Sequence, residues 1–70
     1  MRLSTRNQLT GTVTEVTIGA VMATVKVKLD GGDQIVTASI TKEAVEELGL
    51  ALGTAATELV KSTEVMLGVD

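Results

Sequence analysis

The sequence contains no cysteine, histidine, proline or aromatic residue. Without cysteine there is no disulfide framework and no thiolate nucleophile, and without histidine there is no imidazole base near neutral pH. Without aromatic rings there is no stacking platform for single-stranded nucleic acid. Basic residues are also few, with 6 Lys and Arg against 9 Asp and Glu. The resulting net charge of -3 argues against a nucleic-acid partner, which needs a positive protein surface.

Long apolar runs are absent as well. No apolar stretch approaches the roughly 20 residues that a membrane-spanning helix needs. Residues 1–8 also lack the apolar segment of a signal peptide. The expectation is therefore a cytoplasmic protein without a membrane partner. Disorder is disfavoured, because 44% of the residues are apolar, which is enough to drive collapse.

The short length predicts association between copies. Seventy residues allow one domain, residues 1–70. A domain of this size buries only about 60% of the surface that its unfolded chain exposes. Small domains therefore rely on disulfides, a metal ion or oligomerisation. Since cysteine and histidine are missing, we expect a homo-oligomer.

The residues that are abundant favour β-structure. Val, Ile and Thr together supply 24 of the 70 residues, and such β-branched side chains suit strands. Along the first predicted strand, the apolar residues change from odd-numbered to even-numbered positions near Thr14 and Glu15. This switch in parity predicts a β-bulge. Asp30–Asp33 contains two adjacent glycines and predicts a hairpin turn. The predicted strands are residues 7–18, 21–29, 34–40, 55–61 and 64–69.

One short helix is predicted between the third and fourth strands. Thr41 has the side chain of an N-cap, and Gly49 suits the position after the helix C-terminus. Residues 42–48 lie between them and carry a short apolar stripe. The order β-β-β-α-β-β predicts an all-β fold, a five-stranded OB-fold-like barrel with one short helix.

No catalytic constellation is present, so the sequence predicts a protein that is not an enzyme. The glutamates of the predicted helix, Glu43, Glu46 and Glu47, are typical of a solvated face. Asp30 and Asp33 flank a Gly-Gly turn and lack the further oxygen ligands of a calcium loop. The carboxylates therefore indicate neither general acid–base chemistry nor a metal site.

Hydrogen-bond donors form the more informative pattern. Residues 4–8 (Ser-Thr-Arg-Asn-Gln) precede the first strand, and residues 61–63 (Lys-Ser-Thr) follow the fourth. Both segments combine a cation with hydroxyls. A tetrahedral dianion such as molybdate or sulfate offers only acceptors, so its site needs donors alone. The alternative is that Arg6 and Lys61 merely discourage aggregation at strand edges and that the hydroxyls form turns.

These segments resemble a known family. Residues 4–9 followed by Gly11 resemble the Ser-Ala-Arg-Asn-Gln-Leu-x-Gly opening of the molbindins, small molybdate-binding proteins made of one Mop domain of the TOBE class. Residues 45–50 (Val-Glu-Glu-Leu-Gly-Leu) are similar to the helix and exit of that family. Residues 61–66 (Lys-Ser-Thr-Glu-Val-Met) are similar to its closing motif. The resemblance runs through essentially all 70 residues.

The resemblance implies a fold, an assembly and a ligand. It implies an OB-like barrel in a hexamer, a trimer of dimers with shared N-terminal strands. It also implies sites between subunits for molybdate or tungstate, held by hydrogen bonds without direct metal ligands. Ala44 stands where many relatives have a second helix hydroxyl, and Thr5 where alanine is usual. The implied ligand residues are Ser4, Arg6, Thr41, Lys61 and Ser62.

Two functions follow as hypotheses. The first is intracellular binding and storage or buffering of molybdate, a role in metal homeostasis. If Ser4 and Arg6 came from one subunit and Lys61 and Ser62 from another, ligand binding would also be coupled to assembly. The second is a ligand-independent oligomerisation or interaction module, since the same domain occurs in transporter ATPases and transcription regulators.

Overall fold

A computed structural model describes all 70 residues as one antiparallel sheet of four strands and a short helix. The strands lie side by side in the order β3-β2-β1-β4, so β3 and β4 form the edges. No helix is both long and apolar enough to cross a bilayer. The elements are β1 (Asn7–Ile18), β2 (Met22–Leu29), β3 (Ile35–Thr41), α1 (Lys42–Leu48), β4 (Ala55–Val60) and a 3-10 turn (Ser62–Glu64).

β1 is the central element because it pairs with two neighbours. Its first half pairs with β4 and most of its length pairs with β2. The register shifts between Val13 and Glu15, which confirms the bulge predicted from the parity switch. The Thr14 side chain bonds across this irregularity, its hydroxyl donating to the Lys26 carbonyl at 3.3 Å. The bulge lets one strand present apolar side chains to the core on both sides of the shift.

The core lies on one face of the sheet, under the helix. Alternate residues of β2 point inward, as their spacing predicted, and they pack with Val13 from β1 and Val45 from the helix. Such packing is what fixes α1, since a seven-residue helix is not stable on its own. The fully buried apolar residues are Val13, Ala23, Val25, Val27 and Val45.

Local capping signals set both ends of α1, as predicted. The Thr41 hydroxyl accepts a hydrogen bond from the Ala44 amide at 3.0 Å. At the other end Gly49 adopts a left-handed conformation, with φ of 64°, and its amide bonds back to the helix. A residue with a Cβ would be strained there, which is why glycine ends the helix.

The N-cap provides a direct test of this local structure. We expect Thr41→Ala to lower the free energy of unfolding by about 1 kcal/mol, because the Ala44 amide loses its partner. Thr41→Ser keeps the hydroxyl and is the matched control. Urea unfolding followed by circular dichroism measures both variants, and equal stability of the two would contradict the capping role.

The predicted fifth strand is wrong. Residues 62–64 form a 3-10 turn, and residues 65–69 have no strand assignment. Their amino acids favour β-structure, but a strand requires a hydrogen-bonded neighbour. No backbone hydrogen bond within the chain reaches beyond Val65. The chain therefore forms four strands, and its own residues do not close the predicted five-stranded barrel.

Candidate functional site

The two donor-rich segments lie together at one end of the sheet. Asn7 begins β1 and Val60 ends β4, and the antiparallel register pairs these two residues. Ser4 and Arg6 precede this pair in the chain, and Lys61 and Ser62 follow it. We call this region, Ser4, Arg6, Asn7, Lys61 and Ser62, the donor end. One chain thus brings both donor-rich segments to the same end of the sheet, and neither segment has to come from a second subunit.

Asn7 links the two segments through its side-chain amide. Its Nδ2 group donates to the Val60 carbonyl at 3.2 Å and lies 3.4 Å from the Ser62 Oγ atom. The second contact is long for a hydrogen bond and constrains Ser62 only weakly. Asn7 belongs to the donor-rich motif of residues 4–8, but the motif alone does not indicate a role for it. The missing information was the strand register that places Asn7 beside residues 60–62.

Arg6 sits in a segment that is held by its neighbours. Gln8 donates from Nε2 to the Thr5 carbonyl at 2.8 Å, which closes a short loop around Arg6. Arg6 itself is exposed, as are Ser4, Lys61 and Ser62. Their polar groups are therefore open to a ligand or to a second chain.

The distribution of ion pairs separates the cations of the donor end from the others. Three lysines are paired with carboxylates: Lys26 with Glu15 at 3.7 Å, Lys28 with Asp33 at 3.6 Å and Lys42 with Glu46 at 4.0 Å. The sequence has six cationic side chains. The remaining three are Arg2, Arg6 and Lys61, and none of them has a carboxylate oxygen within 4.0 Å. They precede β1 or follow β4. Positive charge without an internal partner is thus concentrated where β1 begins and β4 ends.

Thr41 lies far from the donor end in the same chain. It pairs with Met22 at the start of β2, whereas Ala23 pairs with Ile18 at the far end of β1. Eleven residue steps of β1 separate Asn7 from Ile18, which is roughly 35 Å of extended strand. One chain cannot bring Thr41 to the same small ligand as Arg6. The structure therefore divides the predicted site residues into four at one end and one at the other.

One carboxylate shares the inner face of the sheet near the donor end. Glu58 in β4 pairs with Leu9 in β1, two residues from the Asn7–Val60 pair, so all four side chains point to the same face. The Oε1 atom of Glu58 is buried and has no hydrogen-bond partner. Burial raises the pKa of the Glu58 carboxyl above its usual value. Sequence reasoning missed this residue because its burial depends on the sheet.

The remaining carboxylates do not form a metal site. No group of three or more His, Cys, Asp or Glu side chains is arranged to hold a metal ion. The donor end instead offers guanidinium, ammonium, hydroxyl and amide groups. That chemistry suits an anion that accepts hydrogen bonds.

Comparisons with known proteins identify the family of this chain. The TOBE domain family matches residues 3–67. Molybdenum-pterin-binding protein 3 of Clostridium pasteurianum is 45% identical over 67 residues, which are 96% of this chain and 97% of that protein. A molybdate-binding protein from Sporomusa ovata has the same fold, with a TM-score of 0.90, 36% identity, and coverage of 99% of this chain and 100% of that one.

A third relative was solved with its ligand. ModG is described as a cytoplasmic molybdate-binding protein, in a crystal form with molybdate bound. Its structure matches with a TM-score of 0.92 and 50% identity, over 100% of this chain and 49% of the ModG chain. Because the family match and the full-length relatives span nearly the whole sequence, this chain belongs to the TOBE domain family and, within it, to the molybdenum-pterin-binding proteins.

Proposed function

We propose that this protein binds molybdate, or tungstate of the same shape and charge, and stores or buffers the anion in the cytoplasm without catalysis. The observation that carries the proposal is the gathering of unpaired cations and hydroxyls at the donor end. The molybdate-bound structure of ModG, 50% identical to this chain, supports the choice of ligand, and its description as cytoplasmic supports the location.

The roles of the ligand residues follow from their chemistry. Arg6 can donate two parallel hydrogen bonds to two oxygens of a tetrahedral anion, whereas Lys61 supplies a movable point charge. Ser4 and Ser62 add hydroxyl donors. None of these groups competes with an internal carboxylate for its hydrogen bonds. The anion would therefore replace water at the donor end, not an existing ion pair.

We further propose that the protein works as a homo-oligomer, a hexamer built as a trimer of dimers. Five apolar side chains are buried, whereas 14 large apolar side chains are exposed. The C-terminal segment is the extreme case, with Met66, Leu67 and Val69 exposed to 91%, 96% and 99%. Exposed apolar surface of this extent is typical of an interface. A neighbouring copy could also pair with residues 65–69 and complete an OB-like barrel.

Assembly would also give Thr41 a role in binding. Thr41 is remote from the donor end of its own chain, so it could contact the same anion as Arg6 only from a second chain. Its hydroxyl oxygen accepts a hydrogen bond from the Ala44 amide, and its hydroxyl proton remains available to donate to an anion. Ala44 has no side-chain hydroxyl and offers no second contact there. Sites between subunits would make ligand binding and assembly support each other.

Native mass spectrometry of the purified protein tests both proposals in one measurement. We expect a hexamer that gains mass in molybdate-sized steps when molybdate or tungstate is added. A hexamer that takes up neither anion, and whose melting temperature neither anion shifts, would favour the ligand-independent module. A monomer that ignores both anions would contradict binding and assembly together.

A further inference from the structure

The side-chain amide of Asn7 faces the hydroxyl of Ser62 with a fixed polarity. Its Nδ2 group donates to the Val60 carbonyl at 3.2 Å and lies 3.4 Å from the Ser62 Oγ atom. A carbonyl oxygen can only accept, so the amide must present its nitrogen here and not its oxygen. One proton of that nitrogen is directed to Val60, and the other is available to Ser62. The Ser62 oxygen therefore faces a donor.

This polarity determines what the Ser62 hydroxyl can do. A hydroxyl has one proton to donate and lone pairs that accept. Because Asn7 offers only a proton at this contact, Ser62 accepts from it and keeps its own proton for another partner. The carbonyls of Lys61 and Ser62 already accept backbone amides within the 3-10 turn. Since Ser62 is exposed, its proton can reach a bound anion.

The two side chains are held to different degrees. Asn7 is half-buried at the start of β1 and pairs with Val60, whereas Ser62 is exposed. At 3.4 Å the contact between them is weak on its own. A hydroxyl that donates to a dianion becomes a better acceptor, because successive hydrogen bonds polarise one another. Anion binding should therefore strengthen the contact, with Asn7 as its fixed partner.

We propose that Asn7 is a positioning residue that makes the donor end select tetrahedral dianions without a proton over hydrogen phosphate. The inference rests on the proposed function. The oxygens of molybdate, tungstate and sulfate only accept, whereas hydrogen phosphate carries a proton that needs an acceptor. Ser62 accepts from Asn7 and directs its own proton to the anion, so it offers the phosphate proton no partner. The bond that this proton makes to water is then lost on binding, which lowers the affinity.

Titration calorimetry of Asn7→Asp tests the proposal, with molybdate titrated directly and phosphate and sulfate as competitors in mildly alkaline buffer. A carboxylate has the size of the amide but only accepts, so Ser62 donates to it and turns its lone pairs toward the anion. We expect the preference for molybdate over hydrogen phosphate to fall about tenfold, the effect of one hydrogen bond to a charged group. The preference for molybdate over sulfate should not change. The added charge repels the three dianions alike and cancels in both ratios.

Gln8→Glu is the matched control for the added charge. It makes the same change from amide to carboxylate one residue along β1, where alternation places the side chain on the opposite face. The Gln8 amide donates to the Thr5 carbonyl and has no contact with Ser62. This variant should weaken the three dianions to a similar degree and leave both preferences unchanged.

Asn7→Leu provides a second test without a change of charge, and it covers the case in which melting curves show that Asn7→Asp is unfolded. Loss of the amide donor should weaken molybdate binding about fivefold. In a Ser62→Ala background the same substitution should change the affinity far less, because Asn7 acts through the Ser62 hydroxyl. An equal loss in both backgrounds would show that Asn7 supports only the fold and would overturn the proposal.

The outcomes separate the role of Asn7 from the binding function. If the unsubstituted protein binds molybdate but Asn7→Asp keeps the anion preferences of Gln8→Glu, the role of Asn7 is overturned and the binding function stands. The same conclusion follows if phosphate does not compete for the folded Asn7→Asp protein. If the unsubstituted protein does not bind molybdate, the proposed function fails, and the role of Asn7 fails with it.

Discussion

Replacing Arg6 with alanine is expected to weaken molybdate binding by about 1.5–3 kcal/mol, or from tenfold to more than a hundredfold. The loss has this size because the guanidinium donates charge-assisted hydrogen bonds to an anion and no other residue can replace its paired donors. Lys61→Ala should fall in the same range. Isothermal titration with molybdate measures both variants.

Matched controls distinguish a site from a general loss of positive charge. Arg2→Ala removes the same side chain from the same N-terminal segment, and Lys28→Ala removes a lysine that is paired with Asp33. Both should change the affinity far less. If one anion contacts both Arg6 and Lys61, their effects should not add in the double variant. Unchanged affinity in Arg6→Ala and Lys61→Ala would defeat the assignment of the donor end.

Replacing Gly11 with alanine is expected to destabilise the fold by about 3 kcal/mol, and with valine by more. A Cβ atom at this position would lie 2.3 Å from the Lys28 carbonyl oxygen and 2.7 Å from a Val27 methyl group. A carbonyl oxygen in the β1–β2 ladder cannot move aside without breaking strand pairing. Gly11 faces Leu29 on one side and Ala56 on the other, so both ladders would be disturbed.

The control for this prediction is Gly32→Ala in the turn between β2 and β3. A Cβ atom at Gly32 meets nothing within 4 Å, so the substitution should leave the stability nearly unchanged. Urea unfolding measures both variants, and soluble expression provides a further check for Gly11→Val. Equal stability of the Gly11 and Gly32 variants would show that the sheet relaxes easily around β1.

The predictions for Arg6 and Gly11 both depend on β1, because this strand contributes to the stability of the sheet and to the proposed binding site. Its first residue, Asn7, pairs with Val60 at the end of β4 and follows Arg6 directly, and its middle needs glycine for close approach to β2. A variant that disturbs the strand at Gly11 should therefore also lose anion binding. The reverse does not hold, because Arg6 is exposed and takes no part in the core.

The sequence alone determined the local structure. Alternation of apolar residues located the first four strands to within about one residue, because side chains of a strand alternate between its two faces. The parity switch predicted the bulge, and the Thr41 cap and Gly49 predicted the bounds of α1. Each of these signals is carried by residues close together in the chain. Composition and motifs likewise indicated the oxyanion chemistry and the family.

Only the tertiary structure decided which distant residues meet. Residues 64–69 have the composition of a strand but find no partner within the chain, so no fifth strand forms. The register of β1 with β4 brings Asn7 to Val60 and Ser62, while the same sheet carries Thr41 to its opposite end. It also buries one oxygen of Glu58 without a partner. Which strands pair, which residues are far apart and which atoms are buried all depend on the assembled sheet. Each of these properties involves two segments that are distant in the sequence, and the local residue pattern of either segment alone does not encode it.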